Sequence, residues 1–214
     1  MTDMDEFVTA LSSQGPKGGQ NAAALRLAIG LTLGVVGAGA FLLLFGGLIG
    51  PPVQSAAFAT PFWKIAYSIA LAISALIVTI QFVAPETRPN RRHLLAFVPV
   101  LMMAMIAMTE LFTSPPQTWT RLMFGYGVSS CVMTIFIISP PIIAGMFWSF
   151  RRFAATDYKI AGGAIGALSG AIAGALYAAV SGDTPACFVF IWYSISVAAT
   201  TFAGALAGPR FLRW

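Results

Sequence analysis

Apolar residues along this chain gather into six long runs separated by short polar stretches. The first extends from about Leu27 to Gly50 and stops at Pro51-Pro52. The second covers Phe62 to Ala84, the third Leu94 to Phe112 and the fourth Leu122 to Phe150. The fifth covers Ile160 to Val180 and the sixth Cys187 to Ala207. Each is about 20 residues or longer with few charges, which is what an α-helix needs to cross a hydrocarbon core of about 30 Å. The fourth run is longer than a bilayer requires. Its Pro140-Pro141 pair removes two backbone donors, which predicts a kink. Short connections make successive helices antiparallel. The predicted fold is all-α: a polytopic membrane protein whose six-transmembrane-helix bundle occupies residues 21–214.

Residues 1–20 follow a different pattern. Met4, Phe7, Val8 and Leu11 keep the i, i+3, i+4, i+7 spacing of a short amphipathic helix. Asp3 is placed as its N-cap, with Glu6 three residues later. The composition then changes to Ser12-Ser13-Gln14-Gly15-Pro16-Lys17-Gly18-Gly19, a linker. So short a helix is not stable alone. It is either a frayed tail or a peptide that folds onto a cytoplasmic partner through Met4, Phe7, Val8 and Leu11. Its acidic polar face suits a basic partner and not the anionic membrane surface.

Composition strengthens the membrane reading. The 214-residue chain is 58% hydrophobic and only 9% charged, with a mean hydropathy of +0.83. Soluble domains carry about 25% charged residues. The formal charge of +5 does not point to direct nucleic-acid binding, because the basic residues form no patch and sit between apolar runs. Their placement sets the orientation instead. Lys17, Arg26, Arg88, Arg91, Arg92, Arg151, Arg152, Lys159, Arg210 and Arg213 fall on one side, against Lys64 and Arg121 on the other. Positive residues stay in the cytoplasm, so both termini are expected there, in a bacterial inner membrane. Trp63, Trp119, Trp148 and Trp214 fall near run ends, as an interfacial belt predicts.

Glycines mark the packing faces. Gly162, Gly166, Gly170 and Gly174 recur every four residues in the fifth run, with Gly204 and Gly208 in the sixth and Gly30 and Gly34 in the first. Small residues let membrane helices approach closely, so this stripe predicts helix contact. Convergent chemistry is sparse. His93, the single histidine, adjoins Arg91 and Arg92 at a helix start. Glu110 lies near an interface where water can reach it, and Asp183 lies in an outer loop. No phosphate loop, nucleophile elbow or metal-ligand cluster stands out, so no catalytic residue, metal or cofactor is expected.

The second half carries a resemblance. Its residues are Cys131, Ser139-Pro140-Pro141, Arg151-Arg152, the stretch Ala161 to Gly174, Tyr177, Cys187-Phe188 and Trp192-Tyr193. The chain then ends Gly208-Pro209-Arg210-Phe211-Leu212-Arg213-Trp214. With the short amphipathic start and Phe62-Trp63-Lys64, the chain resembles the NrsF-type integral-membrane anti-sigma factors of proteobacteria. The resemblance implies six membrane helices and a cytoplasmic N-terminal segment that sequesters an extracytoplasmic-function sigma factor. It also implies release on an envelope, redox or metal stress signal. Members often carry a His-Cys pair before the last helix. Here the stretch reads Ser181-Gly182-Asp183-Thr184-Pro185-Ala186-Cys187, without histidine, which argues against a His/Cys metal site.

Cys131 and Cys187 are the remaining candidates. The sixth run leads inward from Cys187, and counting back about 20 residues from Arg151 arrives at Cys131. Both sulfurs are therefore expected near the outer face, where thiols meet oxidants and soft metal ions. They are either a sensor pair, the reading the resemblance favours, or two buried small apolar residues. Two other classes compete with the anti-sigma reading. A small transporter or channel should tolerate loss of residues 1–14. A membrane thiol-redox enzyme should carry a motif such as CxxC, and none is present.

Overall fold

The computed structural model describes residues 17–49, 62–81, 97–125, 128–151, 157–181 and 185–212. Met4, Phe7, Val8 and Leu11 lie outside the described residues, as do His93 and Asp183. All regular structure among the described residues is helical. The helices are α1 (Lys17–Ile49), α2 (Phe62–Gln81), α3 (Phe97–Thr113), α4 (Trp119–Phe124), α5 (Val128–Phe150), α6 (Tyr158–Val180) and α7 (Ala186–Phe211). A 3-10 turn at Pro116–Thr118 leads into α4.

Five helices, α1, α2, α5, α6 and α7, are long and apolar enough to cross a membrane. The helix in the third run, α3, has 17 described residues, about 25 Å at the α-helical rise, slightly less than a hydrocarbon core. The other departures have local causes. α1 begins at Lys17, inside the stretch whose composition predicts a linker. The run Asn21-Ala22-Ala23-Ala24-Leu25 explains this, because extending a packed helix is far easier than nucleating a new one. The fourth run is divided: α4 ends at Gly125, whose φ of +49° is disfavoured for residues with a Cβ, and α5 starts afresh at Val128. Helix α5 then continues through Pro140 and Pro141 as one element. Pro140 has no N–H for the carbonyl of Phe136, and the Ser139 hydroxyl donates to that carbonyl at 3.1 Å instead.

The bundle is built around the last three long helices. α5, α6 and α7 all touch one another, and each earlier helix leans on one of them: α1 on α5, α2 on α6, α3 on α7. Accordingly 61% of the α6 span is buried and only 22% of the α1 span. The glycine stripe accounts for the tight α6–α7 contact. A Cβ on Gly162 would stand 2.8 Å from Gly208 Cα, and one on Gly204 would stand 2.8 Å from Gly166 Cα. Gly34 has the same relation to Ile142 Cα of α5, also at 2.8 Å. Gly174 differs, since its hydrogen faces the Tyr193 ring with ordinary room.

Two core clusters occupy the two ends of the bundle. One gathers Tyr67, Cys131, Ile135, Phe188, Val189 and Tyr193. The other gathers Met146, Phe147, Phe150, Ile165, Leu168 and Leu212. The outside is apolar too: Leu33, Leu43, Leu101, Met105, Phe112, Phe202 and Leu206 are all more than half exposed. So large an apolar surface suits hydrocarbon and not water.

Candidate functional site: a buried lysine and two thiols at one end of the bundle

Lys64 sits in the first turn of α2, and its side chain is fully buried. A cation at a helix N-terminus is opposed by its own helix dipole. The fold compensates with another helix end. Ser181 is the C-cap of α6, and Lys64 Nζ donates to its carbonyl and to its hydroxyl, both at 2.9 Å. The ammonium therefore lies where the α6 dipole is negative. Ser68, one turn on, donates to the Lys64 carbonyl at 3.1 Å.

A thiol lies within electrostatic range of this cation, and tyrosines lie near the thiol. Cys131 opens the 20-residue apolar stretch Cys131–Phe150 of α5 and has no exposed surface. It lies within electrostatic range of Lys64, Tyr177 and Tyr193. Tyr177 and Tyr193 face each other with ring centroids 6.1 Å apart. Tyr67 shares a hydrogen bond of 3.1 Å with Ser194. Tyr193 is 1% exposed, and its hydroxyl lies beside Ser181, the same residue that accepts from Lys64.

Cys187 belongs to a neighbouring arrangement. It is the second residue of α7, whose N-cap is Pro185 and which lacks a side-chain cap of its own. Glu110 of α3 takes that role, accepting from the Cys187 backbone N–H at 2.8 Å through Oε2. A carboxylate here satisfies a free donor and complements the positive end of the α7 dipole. The Cys187 thiol donates back to the Ala107 carbonyl at 3.1 Å. Thus α3 and α7 are joined by two hydrogen bonds at one residue. Glu110 is half-buried and engaged with α7, a role that its place near an interface did not reveal. The physical reason is a helix start that has no cap within its own sequence.

The structure therefore sets both cysteines at helix starts, each buried and each a free thiol. Each sulfur has its own neighbours, Lys64 and the tyrosines for Cys131 and the α3 carbonyl for Cys187. Among the described residues no group of three or more His, Cys, Asp or Glu is placed to hold a metal ion. The opposite end carries Arg26 stacked over Trp148 at 4.8 Å, and Arg151 donating to the Phe211 carbonyl at 3.4 Å.

A family model described as negative regulator of sigma F, NrsF, matches residues 11–214. The chain belongs to this family. A relative from Caulobacter vibrioides, named anti-sigma-F factor NrsF, is 30% identical over 98% of this chain and 99% of its own length. A second from Azospira oryzae, named probable anti-sigma-F factor NrsF, is 29% identical over 98% of this chain and 99% of its own. No solved structure matches the chain. The resemblance read from the second half of the sequence is thus the family to which the chain belongs.

In this NrsF-family chain, sequence reasoning singled out the cysteines but overlooked the groups around them. Lys64 counted as a charge that sets orientation and as part of the Phe62-Trp63-Lys64 resemblance, not as a site residue. A lysine inside an apolar run with Ser68 one turn later was the available signal. Its partner Ser181 lies 117 residues away and no local spacing points to it. Tyr67, Tyr177 and Tyr193 were likewise invisible as a group, since three different helices supply or support them.

Proposed function

We propose that this chain is a membrane-embedded anti-sigma factor that holds an extracytoplasmic-function sigma factor at the cytoplasmic face. The observation that carries the reading is the family match across residues 11–214, together with two relatives of almost the same length named as anti-sigma-F factors. Six spans are assigned by adding α3, whose exposed apolar residues, Leu101, Met105 and Phe112 among them, suit lipid. The Lys/Arg bias supports cytoplasmic termini in the inner membrane. The acidic amphipathic segment with Met4, Phe7, Val8 and Leu11 supplies the sigma-binding surface, and the protein acts by binding and not by catalysis. Cys131 and Cys187 serve as sensor residues on the outer side, each seated against polar partners that a change at sulfur would disturb.

The test is co-purification of the sigma factor from detergent extracts with three chains: the parent, a chain lacking residues 1–14, and Phe7→Asp. A carboxylate placed in an apolar groove has no partner there. Both altered chains should lose the sigma factor while inserting normally, and sigma-dependent transcription should rise without any inducer. Equal capture by all three would remove the N-terminal segment from the role.

A further inference from the structure

Helix α5 leaves one face open. At about 100° per residue, Met133, Ile137, Pro140, Ala144, Trp148 and Arg151 fall on one stripe, and all are exposed. The faces on either side of it are occupied. Gly145 lies against Gly30 of α1, and Phe147 stacks on Phe211 of α7 with ring centroids 5.6 Å apart. The stripe is therefore the floor of a groove bordered by α1 and α7, apolar along its length and charged at one end. That end carries a second cation. The Arg26 guanidinium of α1 stands over the Trp148 ring at 4.8 Å. Arg151 lies three residues beyond Trp148, so the two side chains are neighbours on the helix surface. Both arginines mark one depth: the apolar stretch Leu25–Leu44 begins beside Arg26, and Cys131–Phe150 ends beside Arg151. Arg151 donates to the Phe211 carbonyl through Nε at 3.4 Å, which leaves its terminal N–H groups for another acceptor. Among the described residues the only carboxylate at this end is Asp157. It caps α6 by accepting from the Lys159 and Ile160 N–H groups at 2.9 and 3.3 Å. Among the described residues no anion therefore neutralises the two guanidinium groups.

We propose that this groove binds an anionic phospholipid, with the phosphate between Arg26 and Arg151 and an acyl chain along the α5 stripe. Ile137 lies 11 positions before Trp148, about 16 Å along the helix. That is half of a hydrocarbon core of about 30 Å, the reach of the chains of one leaflet. The occupant must be amphiphilic, because the charge and the apolar stripe are continuous. An acidic peptide would answer the arginines but not Ile137 and Ala144, and a neutral lipid would do the reverse. Basic pockets between membrane helices suit acidic headgroups for this reason. The site needs α1, α5 and α7 to lie in a membrane, and it is independent of how the sigma factor is held.

The experiment is native mass spectrometry of the delipidated full-length chain in mild detergent, titrated with phosphatidylglycerol or phosphatidylcholine of equal chain length. An arginine beside an anionic headgroup contributes about fivefold in affinity. The parent should therefore take one phosphatidylglycerol about 25-fold more tightly than one phosphatidylcholine. Arg26→Gln and Arg151→Gln should each lower that preference about fivefold, with phosphatidylcholine binding unchanged as the sign of an intact bundle. Arg26→Lys keeps the charge and should keep most of the preference. Lys159→Gln is the control, an exposed cation at the start of α6, at the same end but off the groove. It should match the parent. The proposal is overturned if the parent shows no preference, or if Lys159→Gln loses as much as the arginine variants, which would make the preference one of overall charge. It is also overturned if excess glycerol 3-phosphate displaces the lipid, which would make the site one for phosphate alone. A chain that stays dimeric after delipidation and takes up no lipid would put a second copy in the groove and overturn it too. If neither glutamine variant accumulates, the parent and Lys159→Gln still decide by the size of the preference.

Discussion

Gly166→Ala is the sharpest test of how this bundle is held together. An added Cβ would stand 3.0 Å from both the Thr200 carbonyl carbon and Thr201 Cα, and would also press on the Thr200 carbonyl oxygen. All are backbone atoms of α7, so no rotamer change relieves the overlap. Ordinary carbon–carbon contact lies near 3.5–4.0 Å, so the two helices must part by roughly 0.5–1 Å over that turn. Overpacking of this kind costs about 1–3 kcal/mol. Alanine regains about 1 kcal/mol in helix propensity, which leaves a net loss of up to about 2 kcal/mol. Gly163→Ala lies on the same helix but faces Ala205 Cβ at 3.7 Å and Thr201 Cγ2 at 3.8 Å, ordinary contacts. Propensity should dominate there, so this variant should be unchanged or slightly stabilised. Unfolding in mixed micelles of mild detergent and SDS reads both variants on one scale. If Gly166→Ala unfolds at the same SDS fraction as Gly163→Ala, the close approach of α6 and α7 does not hold the fold.

Further outcomes follow from the same reasoning. Lys64→Met keeps the side-chain bulk but removes both hydrogen bonds to Ser181. It should lower stability in the same micelle assay by about 3 kcal/mol, the order expected for hydrogen bonds to a charged group, and an unchanged midpoint would contradict the buried-cation account. Reporter fusions after Glu86, Asp157 and Trp214 should read cytoplasmic, and those after Ser55, Pro116 and Asp183 periplasmic. A periplasmic C-terminus would reverse the orientation. Cys131→Ser and Cys187→Ser should each blunt induction of the sigma regulon by oxidants and thiophilic metals. If both respond like the parent, the cysteines are structural.

The local sequence was sufficient for the helical runs, because twenty consecutive apolar residues have few alternatives to a helix in hydrocarbon, where every backbone group must be satisfied within the segment. It was sufficient for the packing faces as well. The four-residue recurrence of Gly162, Gly166 and Gly170 is itself the geometry of a helix face, and Gly204 and Gly208 repeat it on the partner. Cys131 was placed at the start of its span by length alone, since Arg151 anchors one end and about 20 residues reach the other. The family, too, was legible from short motifs near the C-terminus. What tertiary structure alone decided are the relations between distant segments. Local pattern could not divide the fourth run, because Gly125 ends a helix only where the backbone turns and Phe188 lies against it. Nor could it pair Lys64 with the end of α6, or give Glu110 to α7 as a cap, because these bonds join residues 117 and 77 positions apart. Spacing along a chain encodes which face a residue occupies on its own helix. Which helix end meets which buried charge depends on how the helices are arranged, and that information exists only once they have packed.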